Sequence, residues 1–391
     1  MNTLLISFLL LLSVSTAGLA NAEVHSTWRL NQGEVIVDTQ VAVDLTSNFT
    51  LLSGVEFSGI MEVNEFQSKA STFALMYATD RFALWGGLRD YNVGKARFNS
   101  VFLGDNSAAF PSIGYKFKGE KFTYQKIYGD LSVTDDYKRV GIHYMEFHPA
   151  PWLTVGLGEA MVTQEPFDFD FLYDVVPLLP YYLSKYLPGI HSRPNNSSFY
   201  GDFELSFTHL DLYGEFVVSE FPITPTATNP DLWGLTIGAE TQLIPNWTTI
   251  VEFSRVQNYA YANNSLLDTS FAVGTQPLGH PHGDDLEVVD LQLRRAWNSN
   301  LATNVGFFYR AWGDNGITEW YTSHEQYKET RFLGGIPEKL LGTKFGVTYG
   351  LTPTLTIDFQ AEIGRASNFR HQQDRIGYRH SAVVALHWQL P

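Results

Sequence analysis

The chain has 391 residues, of which only 17% are charged and 15% are aromatic, and its formal net charge is −15. After residue 22 it contains no run of about 20 apolar residues, which excludes helical membrane spans. It has no cysteine, which excludes disulfide frameworks and thiolate metal sites, and its acidic balance argues against nucleic acid as a partner. A long, aromatic-rich chain with few charges is typical of a transmembrane β-barrel.

The N terminus carries the pattern of a secretory signal peptide. An apolar run from Leu4 to Val14 is followed by Ala20-Asn21-Ala22, which has the small residues that signal peptidase accepts. We therefore predict that residues 1–22 form a signal peptide cleaved before Glu23, and that residues 23–391 form one exported domain.

From residue 33 onward, apolar and polar side chains alternate with a period of two, the pattern of β-strands. The clearest predicted strand runs from Thr354 to Gly364, where apolar side chains from Leu355 to Ile363 occupy one face and mostly polar side chains occupy the other. Such apolar faces continue for about ten residues, the length that crosses an outer membrane, while the opposite faces hold small residues and charges. The pattern therefore favours a transmembrane antiparallel β-barrel over a soluble β-sandwich, which also alternates.

Short and long connections alternate along the chain, as a barrel with tight periplasmic turns and long outer loops requires. Counting predicted strands from Glu34 gives seventeen, and parity asks for one more near Val24 to Asn31, so we predict eighteen strands, with sixteen as the alternative. Trp152 and Trp297 lie beside short turns, where an aromatic girdle is expected. The predicted short turns are 46–48, 149–151, 244–246, 297–300 and 351–353, and the predicted long loops are 89–111, 163–198, 220–232, 258–284, 313–339 and 366–377.

Two of the long loops have a composition that does not suit an exposed loop. In residues 163–198 the spacing after Asp174 is helix-like and strongly apolar, and residues 313–339 combine aromatic side chains with glycine. Because an empty pore of this strand count would leak, we predict helical inserts that plug the lumen or cap the outer face. The alternative for residues 163–198 is a hydrophobic loop that contacts another protomer.

Charged residues on the polar faces of the predicted strands would point into the lumen. The sequence leaves two interpretations open: these residues line a water-filled channel, or they clamp a plug through hydrogen-bonded pairs. The inward-facing charged residues are Asp211, Glu215, Glu252, Asp290, Asp358, Glu362, Arg294, Arg310 and Lys344.

The sequence contains no G-x-S-x-G, H-E-x-x-H or P-loop motif. The segment 280–285 holds two His and two Asp residues, but a metal site of this kind needs further ligands on a rigid scaffold. The favoured interpretation is a tight polar turn that enters a strand at Leu286. We therefore expect no enzyme activity, no cofactor and no bound metal.

Aromatic side chains in the long loops suit stacking against sugar rings, and nearby Asp, His and Arg side chains suit hydrogen bonds with sugar hydroxyls. The alternative for each aromatic residue is a place in the rim or the girdle of the barrel. The candidate polysaccharide-binding residues are Tyr259, Tyr261, His280, Asp284, Arg310, Trp312, Trp320 and Tyr321.

The segment 252–261 is a strand of the type acid, aromatic, Ser, Arg that leads into a Tyr-rich loop, and residues 276–285 contain a Leu-Gly-His-x-x-Gly-x-Asp element. With the shorter segments 106–111, 157–159 and 212–216, these motifs resemble the capsule-assembly Wzi family. The resemblance implies an outer-membrane barrel plugged by helical inserts, whose outer face acts as a lectin and retains capsular or exopolysaccharide on a Gram-negative cell. The partners expected are that polysaccharide, outer-membrane lipid and the barrel-assembly machinery. The alternative function is a diffusion porin for sugars or cations.

Overall fold

The computed structural model describes residues 22–31, 34–60, 65–104, 107–133, 137–164, 195–220, 232–262, 269–316 and 331–390. Within these ranges the chain forms twenty β-strands and one short 3-10 helix, Phe369–His371. The strands are Ala22–Asn31 (β1), Glu34–Asp44 (β2), Phe49–Ile60 (β3), Glu65–Ala78 (β4), Phe82–Arg89 (β5), Phe110–Lys118 (β6), Phe122–Asp130 (β7), Arg139–Ala150 (β8), Leu153–Thr163 (β9), Asn195–Ser206 (β10), Leu210–Glu220 (β11), Leu232–Thr241 (β12), Trp247–Val256 (β13), Ala272–Val273 (β14), Gln276–Pro277 (β15), Leu286–Ala296 (β16), Leu301–Trp312 (β17), Glu338–Thr352 (β18), Leu355–Ser367 (β19) and Ile376–Leu390 (β20).

Eighteen of these strands form one antiparallel sheet that closes on itself. Neighbours in the chain are neighbours in the sheet, and β1 pairs both with β2 and with the last strand, β20. The short strands β14 and β15 form a separate hairpin in the connection between β13 and β16. Closure pairs the strand edges that a membrane would otherwise expose. The predicted barrel of eighteen strands is therefore confirmed, and the alternative of sixteen is excluded.

The connections alternate between short turns at one end of the barrel and mostly longer loops at the other, as predicted; the connections 32–33 and 61–64 at the second end are short as well. The additional strand that parity required is β1, which pairs with β20 in continuous register from Ala22 to Asn31. The short turns are 45–48, 79–81, 119–121, 151–152, 207–209, 242–246, 297–300 and 353–354, and the longer connections include 90–109, 131–138, 164–194, 221–231, 257–285, 313–337 and 368–375.

The outer wall of the barrel is apolar and exposed. On β19 the predicted apolar face, which includes Phe359 and Ile363, points outward, whereas Glu362 points into the lumen. Exposed hydrophobic side chains on most strands suit contact with hydrocarbon rather than with water. At the end with the short turns, Trp297 is exposed and the guanidinium of Arg295 lies 3.6 Å from its ring centroid, as expected at a membrane interface.

The buried core of the described chain lies inside the barrel. There, residues from two of the long connections, 90–109 and 257–285, pack against inward-facing side chains of the wall. The predicted helical inserts fall largely outside the described residues, because residues 165–194 and 317–330 are not described. No helix in the described ranges is both long and apolar enough to cross a membrane.

Candidate functional site

The connection between β5 and β6 turns into the barrel and fills one side of the lumen. Its inner part, the plug loop (residues 90–104), contains Val101, Phe102 and Leu103, which are fully buried. The ring of Phe102 stacks on the ring of Tyr200 from β10, with the centroids 4.4 Å apart. A long outer loop was predicted here, because strand alternation carries no information about where a loop folds. In the described ranges the plug is this irregular loop, whereas the helical inserts predicted for residues 163–198 and 313–339 lie largely outside those ranges and stay a prediction.

One carboxylate of the wall holds the plug loop by its backbone. Glu215 on β11 is buried, and its Oε1 accepts hydrogen bonds from the amide N–H groups of Lys95, at 2.5 Å, and Ala96, at 2.6 Å. Its Oε2 accepts a 3.1 Å bond from the N–H of Val101 and a 2.9 Å bond from the hydroxyl of Ser100. Hydrogen bonds to an ionised carboxylate are about twice as strong as neutral ones, so Glu215 is a principal clamp of the plug loop.

The close approach of the loop to this carboxylate depends on a glycine. Gly94 has a φ angle of +128°, a conformation that residues with a Cβ atom rarely adopt. A Cβ atom at this position would also clash with the carboxylate of Glu215 and the hydroxyl of Tyr200. A larger residue at position 94 is therefore expected to loosen the clamp.

Further inward-facing acids hold the loop beside Glu215. The side-chain amide of Asn99 donates hydrogen bonds to Glu252, at 2.9 Å, and to Asp290, at 3.0 Å. The backbone N–H of Arg97 also donates to Glu252, at 2.8 Å. For Glu215, Glu252 and Asp290 the structure thus decides between the two interpretations: these carboxylates clamp a plug and do not line an open channel.

A second connection seals the plug loop. The covering loop (residues 257–262 and 269–285) follows β13 and carries the hairpin of β14 and β15. The hydroxyl of Tyr261 donates a 2.8 Å hydrogen bond to the carbonyl oxygen of Val101 and accepts a 3.0 Å bond from the N–H of His280. One hydroxyl group therefore joins the two loops inside the barrel.

Four of the predicted polysaccharide-binding residues lie inside the covering loop and not on its surface. Tyr259, Tyr261, His280 and Asp284 are all buried, and the carboxylate of Asp284 accepts a 3.3 Å bond from the N–H of Tyr261. Burial holds the pKa of the His280 imidazole well below its ordinary value and raises the pKa of the Asp284 carboxyl to about 7. In this arrangement the four side chains stabilise the loop, and a glycan at the surface would not reach them.

The neighbouring Asp285 ties the covering loop to the long loop that follows β17. Its carboxylate accepts hydrogen bonds from the N–H groups of Leu333, at 2.5 Å, and Gly334, at 2.9 Å, and burial raises its pKa to about 6. The segment 280–285 forms a turn that leads into β16. In the part of the chain that the structure describes, no group of three or more His, Asp or Glu side chains is placed to hold a metal ion.

We expect the covering loop to be more firmly closed at acidic than at neutral pH. The pKa of Asp284 is raised to about 7 and that of Asp285 to about 6, whereas Asp has a pKa of about 3.9 in an unfolded chain. The stabilisation from these raised pKa values is therefore complete below about pH 4 and is lost as the pH rises through 6 and 7. The amide of Phe271 should be protected from hydrogen exchange, after correction for intrinsic rates, at least tenfold more at pH 5 than at pH 8.

The amide of Phe271 is a suitable reporter, because it donates a 2.8 Å hydrogen bond to the carbonyl oxygen of Tyr261 within the covering loop. The amide of Ile127 in strand β7 serves as the internal reference, and its protection should not change with pH. In Asp284→Asn the pH dependence should shrink. A dependence of full size in that variant would contradict the assignment.

A cavity of about 400 Å³ lies between the covering loop and strands β17 to β20. Arg310 on β17 donates two hydrogen bonds to Glu362 on β19, at 3.2 and 3.3 Å, and its guanidinium lies 4.2 Å from the ring centroid of Phe308. The guanidinium of Arg379 on β20 lies 5.3 Å from the ring centroid of Trp312. The lining of the cavity includes Asn31, His282, Phe308, Arg310, Trp312, Glu362 and Arg379.

The cavity combines the chemical groups that bind hydroxyl-rich ligands. The buried Nε of Arg310 has no hydrogen-bond partner within the described ranges, and a buried donor without a partner costs roughly 1–3 kcal/mol. At the cavity itself, the guanidinium of Arg310 offers donors, Glu362 offers acceptor oxygens and Trp312 offers an aromatic surface. Few polar groups among aromatic ones, in a concave site of this volume, are typical of small-ligand pockets.

The structure brings two of the predicted site residues together in this cavity. Arg310 and Trp312 lie two positions apart on the inward face of β17. Trp320 and Tyr321 lie outside the described residues, so their role stays a prediction. Arg379 is not among the predicted residues. Its position in the alternating pattern of the last strand, opposite to the apolar face, does place it on the lumen side.

The closed antiparallel sheet, the exposed apolar wall and the alternation of short turns with long loops define an outer-membrane β-barrel protein. Two of its long connections fold inward, and a polar cavity lies beside them. The protein is therefore located in the outer membrane.

Several solved structures are similar to this chain, and all of those named here are outer-membrane barrels. Wzi of Escherichia coli, an outer-membrane protein involved in group 1 capsule assembly and a carbohydrate-binding β-barrel, has a TM-score of 0.66 and 13% identity, over 95% of this chain and 86% of Wzi. OprD of Pseudomonas aeruginosa has a TM-score of 0.53 and 11% identity, over 95% and 94% of the two chains. OccD3 of the same organism has a TM-score of 0.54 and 10% identity, over 95% and 91%. At these identities the likeness shows the fold alone, and no family model and no curated protein matches the sequence.

Proposed function

We propose that this protein binds carbohydrate at the outer membrane and retains capsular or exopolysaccharide at the cell surface, without catalysing a reaction. The observation that carries the proposal is the lumenal cavity lined by Arg310, Glu362 and Trp312. The likeness to Wzi, a carbohydrate-binding barrel, supports it, because its TM-score of 0.66 exceeds the values of 0.53 and 0.54 for OprD and OccD3.

The chemistry of the cavity suits a sugar better than a purely charged or purely apolar ligand. The charge of Arg310 is balanced by Glu362, so the pair offers both donors and acceptors to hydroxyl groups. The aromatic surfaces of Trp312 and Phe308 suit the apolar faces of sugar rings. The volume of about 400 Å³ is that of a small-ligand pocket, so the cavity would hold a chain end or a branch of a polymer and not its full width.

The first test of the proposal is the distribution of polysaccharide in a strain that lacks the protein. If the protein retains polymer, the strain should synthesise a normal total amount but release most of it into the medium, and the intact gene should restore the cell-bound fraction. Cell-bound and shed polymer are measured separately by uronic-acid and neutral-sugar assays. An unchanged bound fraction in the deletion strain would overturn the proposal.

A second candidate function, a diffusion pore, is favoured by the part of the lumen that the plug loop leaves free. Inward-facing Arg29, Gln360 and His387, on β1, β19 and β20, are exposed. A second cavity, of about 260 Å³, lies toward the short turns, and its lining includes His25 and Gln40. Large and stable conductance steps of the unaltered protein in planar bilayers would favour this function, and their absence would exclude it as the main role.

A further inference from the structure

The outer surface of β18, β19 and β20 carries a cluster of basic side chains close to the long loops. Lys339, Arg365 and His380 lie on the outward-facing row, because their neighbours in the chain, such as Glu338 and Arg379, face inward and pair there. His380 is paired with the exposed Ile363, although it also borders the lumenal cavity. All three basic residues are exposed. They therefore face the medium that surrounds the barrel.

Strand pairing brings the three side chains into one patch. Arg365 is paired with Leu341 on β18 and with Tyr378 on β20. Lys339 is two residues before Leu341, and His380 is two residues after Tyr378, so both lie on the same face as their neighbours. Each is a diagonal neighbour of Arg365, about 7–8 Å from it. The guanidinium of Arg365 is thus able to share an anionic group with either neighbour.

The cluster has no counter-charge in the part of the chain that the structure describes. None of its three members forms an ion pair there, whereas the inward-facing Arg379 pairs with Glu338 at 2.6 Å. Across the wall from Lys339, the first acid on the same row is Glu287, two strands away beyond Ala311, at about 10 Å.

The patch lies at the upper border of the lipid-facing wall. Leu341 and Tyr378 are 67% and 65% exposed, and Ile363 and Ile376 are exposed as well. On a barrel wall, Lys or Arg is strongly destabilising at the membrane midplane but nearly neutral near the interface. The long loops mark the outer side, so these cations meet the headgroups of the outer leaflet, and their stems lie along the apolar wall.

We propose that Lys339, Arg365 and His380 bind the phosphate groups of lipid A, the anionic glycolipid of the outer leaflet. The planar guanidinium of Arg365 matches two phosphate oxygens, and the Lys339 ammonium adds a point charge. The acyl chains would lie against the exposed apolar wall nearer the short turns, which includes Phe345 and Phe359. This site is on the outside of the barrel, and it does not depend on the lumenal cavity or on the function proposed for it.

The test is native mass spectrometry of the full-length barrel in detergent with added bis-phosphorylated lipid A. The unaltered protein should bind it, and Lys339→Gln/Arg365→Gln should bind about 30-fold more weakly. Each basic residue near an anionic surface is worth about 1 kcal/mol, and two of them correspond to this ratio. Binding should weaken as the ionic strength rises.

The matched control is Arg295→Gln, which removes an outward-facing arginine at the opposite end of the barrel, beside Trp297. This variant should bind lipid A as the unaltered protein does, and all variants should keep the heat-dependent gel mobility of a folded barrel. Lipid A freed of its phosphates should bind equally weakly to the unaltered protein and to the double variant. Equal binding of intact lipid A to both proteins, or tight binding of the phosphate-free form, would overturn the proposal.

Discussion

Exchanging Glu215 for Gln is expected to free the plug loop and to raise the conductance of the barrel several-fold. The carboxylate accepts four hydrogen bonds from the loop, and bonds to a charged group contribute roughly 1.5–3 kcal/mol against 0.5–1.5 kcal/mol for neutral ones. In the variant an amide NH2 group would also face N–H donors of the loop. Single-channel recording in planar bilayers, compared with the unaltered protein, measures the effect.

Asp211→Asn is the matched control, because Asp211 lies on the same face of the same strand as Glu215, four residues nearer the short turns. It should leave the conductance unchanged. The double variant Glu215→Gln/Glu252→Gln also weakens the bonds to Arg97 and Asn99 and should conduct more than the single variant. If the folded double variant conducts no more than the unaltered protein, these carboxylates do not control the plug.

The clamp places few demands on the amino-acid sequence of the plug loop. Glu215 contacts mainly backbone N–H groups, which every residue except proline supplies. Gly94 is the position with a strict requirement, because its positive φ angle and its contact with Glu215 exclude a Cβ atom. The specificity of the closure therefore resides mainly in the wall, and mutations in the wall should have larger effects than most mutations in the loop.

The architecture of the barrel was predictable because its signals are local. The alternation from Leu355 to Ile363 reports directly which face of β19 meets lipid, and the order of short and long connections determines the topology. Parity placed β1 near Val24 to Asn31, although its own alternation is weak, because a closed barrel needs an even number of strands when both ends of the chain lie on one side.

The inward folding of the loops was not predictable from alternation, because it depends on contacts between residues far apart in the chain. Glu215 and Lys95 are separated by 120 positions. One local signal existed, the apolar run Val101 to Leu103 in a segment predicted to be an outer loop. The inward folding of a loop also explains why Tyr259 and Tyr261, which were predicted to bind sugar, are buried. Aromatic side chains in an exposed loop suit a sugar-binding surface, but in a loop that enters the lumen they become part of the core.

Loss of the aromatic and cationic groups of the lumenal cavity is expected to abolish the retention of polysaccharide. In Arg310→Gln/Trp312→Leu the cavity loses a guanidinium fork and a stacking surface. A hydrogen bond to a charged group contributes roughly 1.5–3 kcal/mol, and an aromatic contact roughly 0.5–1.5 kcal/mol. Together these predict binding weakened about 100-fold. In cells the bound fraction of polymer should fall to that of the deletion strain.

Trp152→Leu provides the control, because Trp152 is an exposed tryptophan beside a short turn, far from the cavity. This variant should leave retention intact, because it makes the same exchange of Trp for Leu at the membrane interface and not in the cavity. Both proteins should show the heat-dependent mobility of a folded barrel. In the double variant Glu362 keeps Lys344 as a partner at 3.5 Å, so the barrel should fold. A loss of retention in the folded variant would then report a loss of binding. Normal retention by the folded double variant would place the polysaccharide site elsewhere than in this cavity.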